Sequence, residues 1–174
     1  MQAKCDHDET TVSPCKGYVN AMTQLDGIDR RILKELQADA GLSNQELAER
    51  VGSSAASCWR RVKAMQEAGV IGPAVRLVDP ALLGRGLDVF CEIRMKSQNR
   101  ESRAAFEDFI ALQEDVVACY SISGDWDYLL HIVARDMKDY EKVLMRGILN
   151  HDAIANSSSK FVLRRIKYQT AIPV

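Results

Sequence analysis

The sequence predicts an α+β chain with an N-terminal winged helix-turn-helix domain and a C-terminal ferredoxin-like (ACT-like) βαββαβ domain. Two observations support this fold class. Apolar residues recur at helical spacing between Ile28 and Met65, whereas from Leu87 onwards segments of alternating apolar and polar residues are interleaved with helical ones. A chain of 174 residues is also long enough to hold two small domains.

The overall composition is that of an ordinary globular protein, with 47% hydrophobic and 27% charged residues. The formal net charge is −1, so a nucleic-acid-binding role must depend on a local basic patch and not on overall charge. No run approaches the ~18 apolar residues that a membrane span needs, and no stretch resembles a secretory signal peptide. We therefore expect a cytoplasmic protein without membrane contact.

The cysteines indicate neither a disulfide framework nor a metal site. Three of the five lie within apolar patterns, where a thiol acts as a small hydrophobic group: Cys58, Cys91 and Cys119. An odd number of cysteines in a cytoplasmic protein argues against a disulfide framework. Near the N-terminus, Cys5, His7 and Cys15 lack the closely spaced ligand pairs of structural zinc sites. We predict no metal and no cofactor.

Four segments divide the chain. Residues 1–21 show neither a helical nor a strand period, so they are predicted to form a disordered tail, with Met22 as an alternative start of the protein. The helix-turn-helix domain is predicted over residues 22–72 and a wing or linker over residues 73–85. The βαββαβ domain, which we expect to bind an effector and to dimerise, is predicted over residues 86–174.

Two helices are predicted first, each with clear capping residues. Asp26 is a favourable N-cap for the first helix, which ends at Gly41. Ser43 opens the second helix, Glu46 completes a capping box, and Gly52 ends the helix. One apolar stripe runs along the first helix: Ile28, Ile32, Leu33 and Leu36. These helices therefore have one face suited to a common core.

The third helix begins at Ser54, and Gly69 is a suitable C′ residue. Only the turn at residues 51–54 separates it from the second helix, and two short helices joined by a tight glycine-containing turn are typical of a helix-turn-helix. A β-like stretch over residues 71–78 follows as a candidate wing. Pro80 then marks the start of a boundary or linker.

The second half is predicted to have the order β-α-β-β-α-β, as in a ferredoxin-like domain. Strands are predicted at residues 87–95, 116–122, 128–133 and 159–163, and helices around Phe106–Ile110 and Tyr140–Ile148.

The third of these strands is apolar on both faces. Leu129 and Val133 lie on one face, and Leu130 and Ile132 lie on the other. Because two helices cover only one face of such a sheet, the other face needs a cover of its own. We favour a second copy of the same sheet, in a two-fold homodimer, over the alternative that helix ends or the linker provide the cover.

The third helix carries the candidate DNA-binding residues, since the N-terminal half of this helix enters the major groove in a helix-turn-helix. The set combines helix-capping, outward and basic residues: Ser54, Ala55, Ala56, Ser57, Trp59, Arg60, Arg61 and Lys63. Arg60 suits a guanine edge or a phosphate. The alternatives are an ordinary solvated basic face and, for Trp59, packing against the first helix.

Two motifs then resemble those of a known family. The stretches LDGIDRRILKELQADAGLSNQELAERVGSS and CWRRVKAMQEAGVI closely resemble the N-terminal domain of Lrp/AsnC (leucine-responsive, feast/famine) transcription regulators, and GDWDYLL resembles the turn of their regulatory domain. The resemblance covers roughly residues 24–168. It implies a regulator that binds double-stranded DNA as a dimer, often within an octamer, through a recognition helix at residues 54–65. It also implies that the C-terminal domain senses an amino acid.

Within that resemblance, residues around the GDWD turn and the last strand are candidates for the effector site: Gly124, Asp125, Trp126, Asp127, Ser157, Ser158 and Ser159. The aspartates suit an ammonium group, the backbone N–H groups near Gly124 suit a carboxylate, and the serines suit further hydrogen bonds. The alternative is that Gly124 and Asp125 merely form a tight turn. The chain departs from the family pattern at Gly72-Pro73-Ala74, at Trp126 and in the serine run.

The sequence leaves two alternatives to a regulator, an enzyme and a binding module. An enzyme is disfavoured because no P-loop, dinucleotide-binding, zinc-protease or nucleophile motif is present. His131 is expected in the core or an interface, and His151 beside Asp152 in a solvated turn. A ligand-binding or scaffolding module without DNA binding is the second alternative, which the outward arginines disfavour.

Overall fold

The computed structural model describes residues 24–174, which divide into two compact units. The first unit contains residues 24–75 together with residues 169–174, and the second contains residues 76–168. Several sequence-based expectations lie outside the described residues: the disordered tail at 1–21, the alternative start at Met22, and the cluster of Cys5, His7 and Cys15.

The first unit is built on three helices, α1 (Gly27–Ala38), α2 (Asn44–Val51) and α3 (Ala55–Glu67). Asp26 and Ser43 cap α1 and α2 in reciprocal capping boxes, as predicted. Helix α1 ends three residues before the predicted Gly41. A shared core of buried residues joins the helices: Ile32, Leu33, Leu47, Ala48, Val51, Cys58 and Met65.

Two glycines with positive φ shape the ends of the second and third helices. Gly52 has φ +69° between α2 and α3, where a side chain would be strained, so the turn of the helix-turn-helix stays tight. Gly69 has φ +73° after α3, and the Val70 N–H donates to the Met65 carbonyl oxygen at 2.8 Å. This is a Schellman ending, and it confirms Gly69 as the C′ residue.

The segment expected to form a wing contains no β-strand, which corrects the strand expected over residues 71–78. Among the described residues it pairs with no neighbouring strand, and Pro73 has no N–H group to donate. Its apolar side chains are about two-thirds exposed: Val75 (68%), Leu77 (67%) and Val78 (67%).

The C-terminal end of the chain belongs to the first unit. The Gln37 side chain on α1 donates from Nε2 to the Ile172 carbonyl oxygen at 3.1 Å and accepts at Oε1 from the Ile172 N–H at 2.7 Å. One side-chain amide thus satisfies both backbone groups of one residue, as a neighbouring strand would. The helix-turn-helix unit is therefore assembled from two separate stretches of sequence.

The second unit is a four-stranded antiparallel sheet with helices on one face. Its strands, in the spatial order β2-β3-β1-β4, are β1 (Leu87–Met95), β2 (Val116–Ser121), β3 (Tyr128–Ala134) and β4 (Ile154–Phe161). The helices are α4 (Arg100–Ala111) and α5 (Met137–Lys142), and α5 continues into a π-turn (Val143–Gly147) and a 3-10 turn (Ile148–Asn150). A 3-10 turn also precedes β1 at Pro80–Leu83. The βαββαβ order is confirmed, although β4 begins five residues earlier than predicted.

The two faces of the sheet differ in character. The helix-covered face is closed over a continuous core: Val89, Cys91, Ile93, Leu130, Ile132, Phe106, Ile110 and Ile148, among others. On the opposite face, which we call the open face, Leu129 and Val133 of β3 flank His131, which pairs with Phe90 of β1. As predicted, both faces of β3 are apolar. No helix among residues 24–174 is long and apolar enough to cross a membrane.

Candidate DNA-binding face and effector site

Five of the predicted DNA-binding residues share one exposed side of α3, here called the outward face. At about 100° per residue, they cover about 140° of the helix circumference: Ala55, Ala56, Trp59, Arg60 and Lys63. Cys58 and Met65 lie on the other side and are buried in the core of the unit. The helix therefore presents a separate surface to solvent while its inner side is fixed by packing.

The outward face combines cations with an aromatic ring. Trp59 is 54% exposed, so it is not packed away against α1. The Lys63 ammonium lies 5.3 Å from the centre of the Trp59 ring and 3.9 Å from a Glu67 carboxylate oxygen. Arg60 is exposed and forms no ion pair with any residue in the described part of the chain. Its guanidinium remains available for an anion or a base edge.

Arg61 lies on the inner side of α3 and is not part of the outward face. Its Nη1 donates to carboxylate oxygens of Asp26 and Asp29, each at 2.7 Å. The hydrogen bond to Asp29, followed by the one to Asp26, raises the pKa of Arg61. The backbone N–H of Asp29 and the Arg61 guanidinium together hold the pKa of Asp26 below its usual value. Arg61 thus ties the start of α1 to α3.

The two predicted serines serve the start of α3. The Ser54 Oγ accepts a hydrogen bond from the Ser57 N–H at 3.2 Å, so Ser54 is the N-cap. Ser57 itself is half-buried and lies outside the arc of the outward face. The first turn of α3 begins with the exposed residues Ala55 and Ala56, and the N–H groups of this turn form the positive end of the helix dipole.

In the second unit, Asp127 joins the beginning of β3 to the end of β1. Its Oδ2 accepts from the Met95 N–H at 2.7 Å and its Oδ1 accepts from the Gln98 side chain at 2.8 Å. Its own N–H donates to the Ile93 carbonyl oxygen at 2.9 Å. Both carboxylate oxygens are therefore engaged within the fold.

The rest of the GDWD turn is held from β1 by Arg94. The Arg94 Nε donates to the Asp125 carbonyl oxygen at 2.9 Å, and the guanidinium lies 5.0 Å from the centre of the Trp126 ring. Gly124 has φ +112°, a conformation that side chains strongly disfavour. Asp125 is exposed, and its carboxylate makes no hydrogen bond within residues 24–174. It is the aspartate of the turn that remains free to meet a ligand.

The three predicted serines lie in the middle of β4, and not at its start, and they do not share a face. In register with β1, Ser158 pairs with Glu92, whose side chain points to the open face, whereas Ser157 and Ser159 point to the helix-covered face. The Ser159 hydroxyl is 2.5 Å from the Tyr140 hydroxyl. Strand β1 lies between β4 and β3, so the structure does not bring the serines and the turn together as one cluster.

A polar network beside the turn was not predicted from the sequence. Arg103 on α4 donates to the Tyr128 hydroxyl at 3.3 Å and to the Ser121 hydroxyl at 3.0 Å. The Tyr128 hydroxyl donates to Glu107 at 2.6 Å. Burial, assisted by the Glu107 carboxylate, raises the pKa of Tyr128 to about 12. The spacing of Arg103 and Glu107, four residues apart on one helix, is the signal that could have indicated a shared partner.

A second feature that the sequence did not indicate is an open cleft of about 860 Å³ between α4 and the segment after α5. Side chains of both charge signs line it: Lys96, Glu101, Arg146 and Asp152. His151, expected in a solvated turn, instead packs against Phe109 with ring centres 4.8 Å apart. Its Nδ1 accepts from the Ala153 N–H at 3.2 Å, so this histidine has a structural partner.

His131 lies on the open face, as expected of a core or interface residue. Its ring stacks on Phe90 at 4.8 Å, and its Nε2 lies 3.0 Å from an Asp88 carboxylate oxygen. Arg165 donates to the other oxygen at 2.6 Å. Although burial opposes ionisation, the hydrogen bonds from His131 and Arg165 hold the pKa of Asp88 below its usual value.

Comparison with protein families gives two matches that together span both units. A family described as "Winged helix-turn-helix DNA-binding" matches residues 25–71. A family described as "Lrp/AsnC ligand binding domain" matches residues 88–172.

Similar proteins match the chain over most of their length. It is 37% identical to the leucine-responsive regulatory protein of Escherichia coli, covering 86% of this chain and 92% of that one. It is 33% identical to the E. coli DNA-binding transcriptional activator DecR, covering 86% and 99%.

Among solved structures, a transcriptional regulator from Neisseria meningitidis in complex with L-Met superposes with a TM-score of 0.82 at 32% identity, covering 86% of this chain and 96% of that one. An AsnC family transcriptional regulator from Agrobacterium tumefaciens gives 0.81 at 38% identity, covering 85% and 96%.

Proposed function

Since this chain belongs to the Lrp/AsnC family and is a DNA-binding transcription regulator that responds to an effector, we propose that the outward face of α3 enters the major groove of its operator. The observation that carries this proposal is Arg60, which is exposed and forms no ion pair among residues 24–174, on a helix whose inner side is buried in its unit. A guanidinium in the groove recognises guanine through O6 and N7, or binds a phosphate.

We assign the predicted DNA-binding residues to different tasks. Ser54 and Ser57 shape the start of α3, where backbone N–H groups would meet a phosphate. Lys63 would add charge to the contact. Arg61 would act only by fixing the orientation of the helix, because its guanidinium is held by α1.

We further propose that the effector is a free amino acid bound at the GDWD turn. The relative from N. meningitidis was solved in complex with L-Met. Here the Asp125 carboxylate would meet the ammonium group, and backbone N–H groups near Gly124 would meet the carboxylate. Trp126 would form an apolar wall beside the turn. Asp127 would hold the turn in place, and the serines of β4 would contribute either Ser158 on the open face or Ser157 and Ser159 on the helix-covered face.

The assembly that we propose is a homodimer formed through the open face of the sheet. From the family resemblance we expect such dimers to associate further into an octamer. Leu129 and Phe90 on this face support the dimer, because they are only partly buried and leave apolar surface next to solvent. A two-fold dimer would place two recognition helices about one DNA turn apart on a pseudo-palindromic site.

We propose that the protein acts by binding alone, without catalysing a reaction, and that it does so in the cytoplasm. Effector binding would shift the population of assemblies that differ in affinity for DNA. The alternative is a ligand-binding or scaffolding module that does not bind DNA, and the following experiment distinguishes the two.

The first test is fluorescence anisotropy with the duplex upstream of the gene, at two salt concentrations, with and without a pool of amino acids. The affinity is expected to fall with salt and to shift with one amino acid. Arg60→Ala should weaken specific binding roughly 10- to 100-fold if Arg60 reads a base, or lower the salt dependence by about one counterion if it binds a phosphate.

The matched control is Arg100→Ala, which removes an exposed arginine at the start of α4 in the other unit. Its affinity for DNA should equal that of the wild type. Equal affinities for Arg60→Ala and the wild type would remove Arg60 from the DNA-binding face. The absence of specific binding to this duplex and to duplexes selected from a random library would contradict the proposal itself.

A further inference from the structure

The N-terminal half of the outward face of α3 is mostly apolar. Ala55 and Ala56 are exposed in the first turn of the helix, and the indole of Trp59, 54% exposed, follows one turn later. The cations Arg60 and Lys63 lie beside and beyond this surface, and the Lys63 ammonium rests over the Trp59 ring. The part of the helix that enters deepest into a groove thus offers two methyl groups and an aromatic ring.

A methyl group on the protein cannot satisfy the donors and acceptors that base pairs present in the major groove. Covering N7, O6 or an amino group with carbon leaves that group desolvated without a partner, which costs binding energy. The 5-methyl group of thymine is the apolar feature of the major-groove edge, and side chains such as alanine recognise it by direct contact.

We propose that Ala55 and Ala56, flanked by Trp59, form an apolar surface that reads the 5-methyl groups of thymine in each half-site. Arg60 supplies the polar contact next to it. This inference rests on the proposed function and specifies its substrate: an operator whose contacted base pairs include thymine, with discrimination by methyl contact.

The contacts that fix the orientation of α3 in its unit allow it to discriminate thymine methyl groups by position. The Ser54 cap fixes the first turn, and Cys58 and Met65 are 0% and 4% exposed on the inner side. Arg61 lies roughly opposite the centre of the outward face and is bound to two carboxylates of α1, so the helix cannot rotate about its axis without breaking these bonds. The two alanine methyl groups are therefore presented at fixed positions.

The test begins with a duplex selected from a random library by the full-length protein. Each thymine in the selected site is then replaced singly by deoxyuridine, which removes only the methyl group. Deoxyuridine at one or two positions per half-site is expected to weaken binding about fourfold for each lost contact. Replacement at the remaining positions should leave the dissociation constant unchanged.

Protein variants connect the methyl effect to the residues. In Ala55→Gly or Ala56→Gly, the deoxyuridine penalty at the corresponding position should shrink towards one-fold, because the partner methyl group is already gone. The matched control is Ala64→Gly, which changes an exposed alanine of α3 outside the arc of the outward face. It should retain the full penalty, and circular dichroism would verify that each variant keeps its helix content.

Each outcome decides the matter. If no duplex is enriched, the proposed function fails and this inference fails with it. If a duplex is enriched but deoxyuridine has no effect at any position, the methyl contact is refuted while DNA binding stands. An undiminished penalty in both glycine variants would assign the methyl contact to another side chain and overturn the role of the alanines.

Discussion

At the scale of single residues, neighbouring side chains on one helix have opposite tasks. Arg60 is exposed and unpaired among the described residues, whereas Arg61 is bound by two aspartates of α1. In the sequence both arginines belong to one basic run, and nothing in their composition separates them. The separation comes from the helical angle of about 100° between successive residues, together with acidic partners that lie more than 30 positions earlier.

Two buried tyrosines of the second unit, Tyr128 and Tyr140, ionise at higher pH than an exposed tyrosine. Burial raises the pKa of Tyr128 to about 12, with a further contribution from Glu107. Burial also raises the pKa of Tyr140 to about 12. Because the folded-state pKa lies above the unfolded value of about 10, both groups stabilise the fold below pH 10 and lose that contribution as the pH rises towards 12.

A spectrophotometric titration of phenolate formation would show two late-ionising groups in the folded protein. Tyr128→Phe and Tyr140→Phe should each remove one late group, and the wild type should become less stable to urea between pH 10 and 12. A late amplitude that is unchanged in Tyr128→Phe would contradict the assignment of the raised pKa to that residue.

At the scale of elements, the order of helices and strands followed from the sequence because each element carries its own period and its own end signals. The capping boxes at Asp26 and Ser43 lie where the pattern placed them. The start of β4 was misplaced because residues 156–159 are all polar, and such residues give a weak strand pattern. What pairs them is the neighbouring β1, a long-range partner that no local pattern contains.

For the candidate effector site, the sequence indicates the residues of the turn but not how distant segments engage them. The turn residues Gly124 and Asp125 are local in sequence, and their exposure agrees with a ligand-binding turn. The engagement of Asp127 with Met95 and Gln98, and the spreading of the serines over two faces, depend on pairing between distant segments. Pairing of this kind becomes visible only in the folded sheet.

Asp125 and Asp127 should therefore respond differently to substitution. Asp127→Ala leaves the buried Met95 N–H without its acceptor and should destabilise the protein by about 1–3 kcal/mol. Asp125→Ala should leave stability within about 0.5 kcal/mol and abolish the response to the amino acid. Urea unfolding and anisotropy with the effector would measure the two effects. Loss of the response with full stability in Asp127→Ala would instead make Asp127 a direct ligand.

At the scale of the whole molecule, the open face of the sheet determines the expected assembly. Leu129→Glu places a second carboxylate beside Glu92, the cross-strand partner of residue 129, on a face that a dimer would bury, so the variant should sediment as a monomer and bind DNA more weakly. Leu112→Glu, an exposed leucine next to α4 and away from the open face, is the matched control and should sediment like the wild type. If both variants sediment alike, the open face is not the dimer interface.

The contact between Gln37 and Ile172 has a consequence for protein engineering. Chimeric regulators are commonly made by joining a reader domain from one protein to a sensor from another at a single crossover point in the gene. Here a crossover near residue 75 would leave the Gln37 amide facing a foreign C-terminal stretch, since residues 169–174 travel with the sensor. A graft with two crossovers would keep residues 169–174 with the helix-turn-helix unit and so preserve this contact.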